Sequence, residues 1–143
     1  MVNSLLETIE KNYIHGFSSK ETVKLDFDEI SFGLVKKWAS EKMKQFKLGG
    51  FIILKSSENH YHVLFDKRVS WSKNMKIVAW ISLESRNKGL LEWLRMQCIK
   101  ECSTLRVSPK GKKKSPRIVF RYGSQNHEIK EFLKYRKLAL KCY

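Results

Sequence analysis

The chain of 143 residues is short of acid, of proline and of cysteine. It carries 14 Asp plus Glu against 29 Lys plus Arg, a formal net charge of +15. Self-repulsion on that scale opposes compaction, so the natural reason to keep it is an anionic partner. With only 2 prolines and 7 glycines, collagen-like and low-complexity linker chains are excluded. The cysteines, Cys98, Cys102 and Cys142, are odd in number and form no disulfide framework, so the expected location is a reducing, cytoplasmic compartment. No apolar run approaches the roughly 20 residues of a membrane-crossing helix. The first 16 residues interleave Glu7, Glu10, Lys11 and His15 with apolar side chains, unlike a signal peptide. Membrane surfaces usually recruit through one polybasic amphipathic helix or a lipid anchor, whereas these cations are spread along the whole chain. The expected partner is therefore nucleic acid, DNA or RNA, whose phosphates release condensed counterions when neutralised; no membrane partner is expected.

What is present is enough for a core. Hydrophobic residues make up 42% and aromatics 12%, and the length suits a single domain over 1–143. An amphipathic helix is expected over Ser4–His15, ending at Gly16. A motif-bearing β-α-β-β segment follows over 22–66, then a helical and basic segment over 70–143. In Thr22–Asp28 the residues Val23, Leu25 and Phe27 alternate with Lys24, Asp26 and Asp28, the period of a strand. Ser31 is the expected N-cap of a helix carrying Phe32, Val35, Trp38, Ala39, Met43 and Phe46, stopped by Gly49-Gly50. Phe51–Lys55 and His60–Phe65 read as a hairpin around Ser56-Ser57-Glu58-Asn59. Ser70 caps a helix to about Glu84, Asn87-Lys88-Gly89 breaks it, and a further helix covers Leu90 to about Glu101. Thr104–Val107 and Arg117–Tyr122 are expected to form a second hairpin, and Glu128–Lys141 a closing basic helix. The expected fold is α+β, a mainly antiparallel sheet with helices chiefly on one face and the other face open, as in RNA-recognition and ferredoxin-like cores.

Strand parity concentrates chemistry. Asp26 and Asp28 point to the side opposite Leu25 and Phe27, and His60 and His62 to the side opposite Tyr61, Val63 and Phe65. The apolar sets must turn to the helices, so two carboxylates and two imidazoles are expected together on the open face. Two carboxylates two residues apart can share a divalent cation, Mg2+ or Mn2+, as metal-assisted phosphoryl transfer needs.

Leu25-Asp26-Phe27-Asp28, then a helix and a strand, then Lys55-Ser56-Ser57-Glu58-Asn59-His60-Tyr61-His62-Val63-Leu64-Phe65, resembles the first two motifs of the archaeo-eukaryotic primase superfamily. The resemblance implies that Asp26 and Asp28 bind metal and are catalytic with His62, while Ser56, His60 and His62 contact an incoming nucleotide. It spans about 23–66. The family's third motif, a later strand aspartate, has no counterpart: the corresponding stretch offers only Glu101, which leaves a degenerate or accessory relative as an alternative. Thr104–Pro109 resembles the family's basic, phosphate-meeting strand. His60-Tyr61-His62 also resembles the metal motif of His-hydrophobic-His nicking initiators, in which a helical tyrosine attacks the phosphate; Tyr135 is the helix-borne candidate. A non-catalytic DNA- or RNA-binding module is the third reading. A replication role with nucleotides and other replication proteins as partners, in a plasmid or virus, suits all three.

Lys110, Lys112, Lys113 and Lys114, between Pro109 and Pro116, form a cationic loop suited to phosphate contact, with Arg106, Arg117 and Arg121 on the flanking strands. Phe51, Trp38, Trp80 and Trp93 are expected in the core. Cys98 and Cys102 share a helix face and read as buried apolar cysteines rather than a zinc site.

Overall fold

The computed structural model describes residues 14–142. The expected Ser4–His15 helix falls largely outside them, and its last residues, Ile14 and His15, are not helical. In chain order the described elements are β1 (Gly16–Ser19), β2 (Thr22–Phe27), α1 (Phe32–Gln45), β3 (Gly50–Ser57), β4 (His60–Arg68), α2 (Trp71–Ser85), α3 (Lys88–Lys100), β5 (Ser103–Arg106), β6 (Arg117–Gly123) and α4 (Glu128–Leu140). The protein is α+β with antiparallel sheets. A four-stranded sheet runs β2-β4-β3-β6, and β1 and β5 pair in a small second sheet.

The β2-α1-β3-β4 unit is the split β-α-β-β half of a ferredoxin-like core. Strand β4 inserts between β2 and β3 and runs antiparallel to both. Ser31 caps α1 and Ser70 caps α2, each side chain accepting from a backbone amide three residues on. Asn87 is also a cap: its Oδ1 accepts from the Leu90 amide at 3.0 Å, starting α3 at Lys88 rather than merely ending α2.

One face of the large sheet presents Val23, Leu25, Phe27, Phe51, Ile53, Tyr61, Val63 and Phe65 to residues of α1, α2 and α3. Each of these side chains contributes roughly 1.5–3 kcal/mol by leaving water, so this face fixes the strand register. Trp38 and Trp93 pack against this core, but Trp80 is exposed, its indole N–H donating to Glu84 at 3.0 Å.

The opposite face is not open. Ile52, Leu54 and Leu64 are covered by Leu105 and Val107 at the small sheet's end and by Ile129 and Phe132 of α4. The amphipathic closing helix thus seats on the second face, while three of the four described helices share the first. Arg106 and Arg117 do not belong to one hairpin either. Strand β5 pairs with β1 and β6 with the edge of β3, because Gly16–Ser19, expected at a helix end, is itself a strand that claims β5. Cys98 is exposed on α3, and Cys102 lies beyond that helix, which ends at Lys100, so the two do not form the buried pair expected. Among the described residues no helix is long and apolar enough to cross a membrane.

Candidate functional site

Pleat parity holds at the centre of the molecule. Asp26 lies directly opposite His62 across the β2–β4 ladder, as Phe27 lies opposite Tyr61. Asp26 Oδ1 and His62 Nε2 are 3.4 Å apart, and Asp28 Oδ1 pairs with His60 Nδ1. The four side chains open into one basin of about 590 Å3, where the cover of the second face stops. That volume is in the range of small-molecule sites.

Three further elements complete the basin. The β3–β4 turn supplies Ser56 and Ser57; the Ser56 hydroxyl donates to the His60 carbonyl at 3.2 Å. From β5 come Thr104 and Arg106, on one side of the strand two residues apart, and from the following loop Lys110 and Lys113. The third wall is a stripe of α3, Gly89, Trp93, Gln97 and Lys100, whose spacing of four, four and three residues marks one helix face. This stripe escaped the sequence reading, which gave α3 only a core role; the spacing itself was the available signal. Gln97 is fixed from both ends, its Nε2 donating to Trp93 O at 2.9 Å and its Oε1 accepting from the Thr104 amide at 2.9 Å.

Asp28 is held by the amino end of α3. Asn87 grips its backbone on both sides, accepting from Asp28 N at 3.2 Å and donating to Asp28 O at 2.6 Å. Gly89 passes so close that a Cβ there would lie 2.2 Å from Asp28 Cβ and 2.8 Å from Oδ2. The carboxylate thus rests against backbone that only glycine can supply, at a helix end favourable to negative charge.

Burial dominates the electrostatics. Burial first, and then the neighbouring Asp28, push the Asp26 carboxyl up to about 7 against the pull of Arg106 and Lys113. His62, 5% exposed, is held down to about 3, first by burial and then by Arg106 and His60. Its ring is therefore neutral, and its contact with Asp26 is one between neighbours rather than an ion pair. The His62 Nδ1 atom is buried without a hydrogen-bond partner. Burial lowers the Arg106 guanidinium while Asp26 counters it; its Nη1 donates to Ser108 O at 2.5 Å and Lys114 O at 3.1 Å, tying both ends of the cationic loop to β5.

Two residues along β2, on the same side as Asp26, Lys24 is wholly buried. Its Nζ donates to Ser19 Oγ at 2.5 Å and Ser103 Oγ at 2.9 Å beneath the Phe17 ring, pegging the small sheet to β2. Burial lowers its amine to about 7.

The expected site residues therefore divide. Asp26, Asp28, Ser56, His60, His62, Arg106, Lys110 and Lys113 share the basin; Lys112, Lys114 and Arg117 line a neighbouring groove; Arg121 lies in neither. Glu101 sits in a left-handed turn at the end of α3 and does not line the basin. Among the described residues no three His, Cys, Asp or Glu side chains converge as a ready-made metal cage. The donor set still suits Mg2+ or Mn2+ of the kind bound by one or two carboxylates and completed by substrate phosphates and water. Burial chiefly raises the Asp26 proton affinity, and the smaller share that comes from repulsion by Asp28 is what a shared cation would relieve. Compared with known proteins, the chain matches no family model, no curated protein and no solved structure.

Proposed function

We propose that the basin is a nucleotide site of the primase-like nucleotidyltransferase kind, in a nucleic-acid-binding replication protein of the cytoplasm. One observation carries this reading. A single concavity gathers two carboxylates, two imidazoles, a serine turn and the cations Arg106, Lys110, Lys113 and Lys100, drawn from β2, β3, β4, α3, β5 and a loop. A basin for a simple anion has no use for the carboxylates, and a basin for a bare cation has no use for the lysines. A metal-bound polyphosphate asks for both.

Asp26 and Asp28 would hold the divalent ion, which when bound would offset the negative charge that develops on the phosphates. Arg106, Lys110 and Lys113 neutralise the remaining phosphate charge. The neutral His62 imidazole offers a donor or an acceptor without adding charge, and Ser56 supplies a hydroxyl at the rim. In the transfer this implies, a strand's 3′ oxygen bonds to the α-phosphorus, the bond to pyrophosphate breaks, and the hydroxyl proton passes to water. The chain's own contribution is placement, which in phosphoryl chemistry is most of the catalysis.

Incorporation of labelled nucleotide onto a primed template with Mg2+ or Mn2+ tests the reading. Wild-type protein is expected to extend, and Asp26→Ala to lose extension. Nucleotide and strand binding with no incorporation by the wild type would reduce the protein to the accessory, non-catalytic alternative. The nicking alternative needs a tyrosine at the basin. Among the described residues none lines it: Tyr61 is turned into the core, and the Tyr135 ring lies 5.7 Å from that of Phe17, packed against the second-face cluster.

A further inference from the structure

The cations of the 108–116 loop serve two separate concavities. Beyond the wall formed by Ser56 and Ser57 lies a second groove, lined on one bank by Lys55 and Glu58 and on the other by Lys112, Lys113, Lys114 and Arg117. Ser56, Ser57 and Lys113 line both the groove and the basin, so the two adjoin. We propose that this groove holds the sugar–phosphate backbone of a single nucleic-acid strand whose end reaches the basin across Ser56, Ser57 and Lys113. This rests on the nucleotide reading of the basin, and it assigns Arg106 and Lys110 to the nucleotide, Lys112, Lys114 and Arg117 to the strand, and Lys113, which borders both, to either ligand.

The composition of the groove selects this ligand. Among the described residues Glu58 is its one acid, and that carboxylate is already paired with Lys55 at 3.1 Å. Lys112, Lys113, Lys114 and Arg117 are exposed and form no ion pair with any described residue. Among the described residues no aromatic side chain lines the groove, so they offer bases no stacking platform there, and the contact is to phosphate without sequence reading.

The loop is also built rather than slack. Lys110 and Lys113 exchange backbone hydrogen bonds of 3.0 and 2.9 Å around a tight turn in which Gly111 takes φ +58°, placing Lys112 at the tip. Arg106 clamps the loop at Ser108 and Lys114. A preformed cleft between a turn and a loop can take a thread, whereas a duplex, being a convex rod, would ride on its rim.

Anisotropy titration of a short labelled oligothymidylate over a range of salt tests this. Four cations facing a single strand give a slope of log affinity against log salt near about −3, at roughly −0.7 per phosphate neutralised. Lys112→Gln with Lys114→Gln, both on exposed side chains, is expected to bring the slope to about −1.5, while Gly33→Ala on α1, which lines neither concavity, leaves it unchanged. An unaltered slope in the double variant, or a duplex bound as tightly as the single strand at equal salt, overturns the proposal. Nucleotide binding that persists beside an unaltered slope sinks the groove and spares the basin. A reduced slope in a protein that binds no nucleotide supports the groove and removes the nucleotide reading.

Discussion

Asp66 is the residue whose loss is expected to cost the fold most per atom removed. It is 2% exposed near the end of β4 and accepts four hydrogen bonds. Its Oδ2 takes Ser124 Oγ at 2.6 Å and the Asn126 amide at 3.1 Å; its Oδ1 takes the amides of His127 at 3.0 Å and Ile129 at 2.9 Å. His127, at the N-cap of α4, makes no side-chain capping bond, so a carboxylate from the sheet caps this helix from outside. Asp66 thereby joins the cover of the second face to the strand that carries His62. A hydrogen bond to a charged acceptor is worth about 1.5–3 kcal/mol net, and the four share one carboxylate and are not additive. With a helix cap worth about 0.5–2 kcal/mol among them, Asp66→Ala is expected to lower stability by about 4 kcal/mol. Asp66→Asn keeps one acceptor oxygen but turns an amide donor towards backbone N–H groups, so about 2 kcal/mol is expected. Equilibrium urea unfolding followed by far-UV circular dichroism measures both, with the m-value reporting whether unfolding stays two-state. A loss below about 1 kcal/mol for the alanine variant would refute the idea that Asp66 fastens α4 to the sheet.

Three further outcomes follow from single contacts. Gly89→Ala places a Cβ 2.2 Å from that of Asp28 and is expected to weaken Mn2+-dependent nucleotide binding about tenfold, as a misplaced positioning group does; calorimetric titration reads it, and wild-type affinity would contradict the packing. Gly33→Ala meets nothing within 4 Å in α1 and is expected to raise thermal stability by about 0.5 kcal/mol, a gain that a melting curve would show or deny. Lys24 is neutral in the folded protein above about pH 7 but protonated in the unfolded chain up to its ordinary 10.5. The unfolded state therefore binds more protons between these values, and stability should rise with pH across that window. Urea unfolding at pH 7 and pH 10 checks this, and a Lys24→Met variant showing the same rise would place its cause elsewhere.

The chemistry was easier to read from the chain than the cover that encloses it. Val23, Leu25 and Phe27, and Tyr61, Val63 and Phe65, alternate strictly, and period two leaves one choice of face; Asp26 and His62 then meet because β2 and β4 are neighbours in the sheet. The same alternation misplaces Lys24, because a lysine on the polar side of a strand reads as exposed until Ser19 and Ser103 arrive from a small sheet to receive it. Gly16–Ser19 is only four residues long, too short for its period to register, and missing it sent β5 to β6 as a false hairpin. Without β1, nothing covers the second face on that side, so the face read as open. The α4 helix carried the right amphipathic signal, but no sequence pattern says which sheet face an apolar stripe will choose. Asn87 shows the remaining ambiguity: a residue that ends one helix and caps the next looks, in sequence, simply like a break.

Anomalous scattering from crystals grown with Mn2+ and a non-hydrolysable nucleoside triphosphate tests the central claim most directly. One strong peak coordinated by the carboxylates of Asp26 and Asp28 is expected, with the triphosphate lying towards Arg106 and Lys110. A nucleotide bound in the basin without metal at the aspartates, or Mn2+ bound elsewhere with the basin empty, would contradict it.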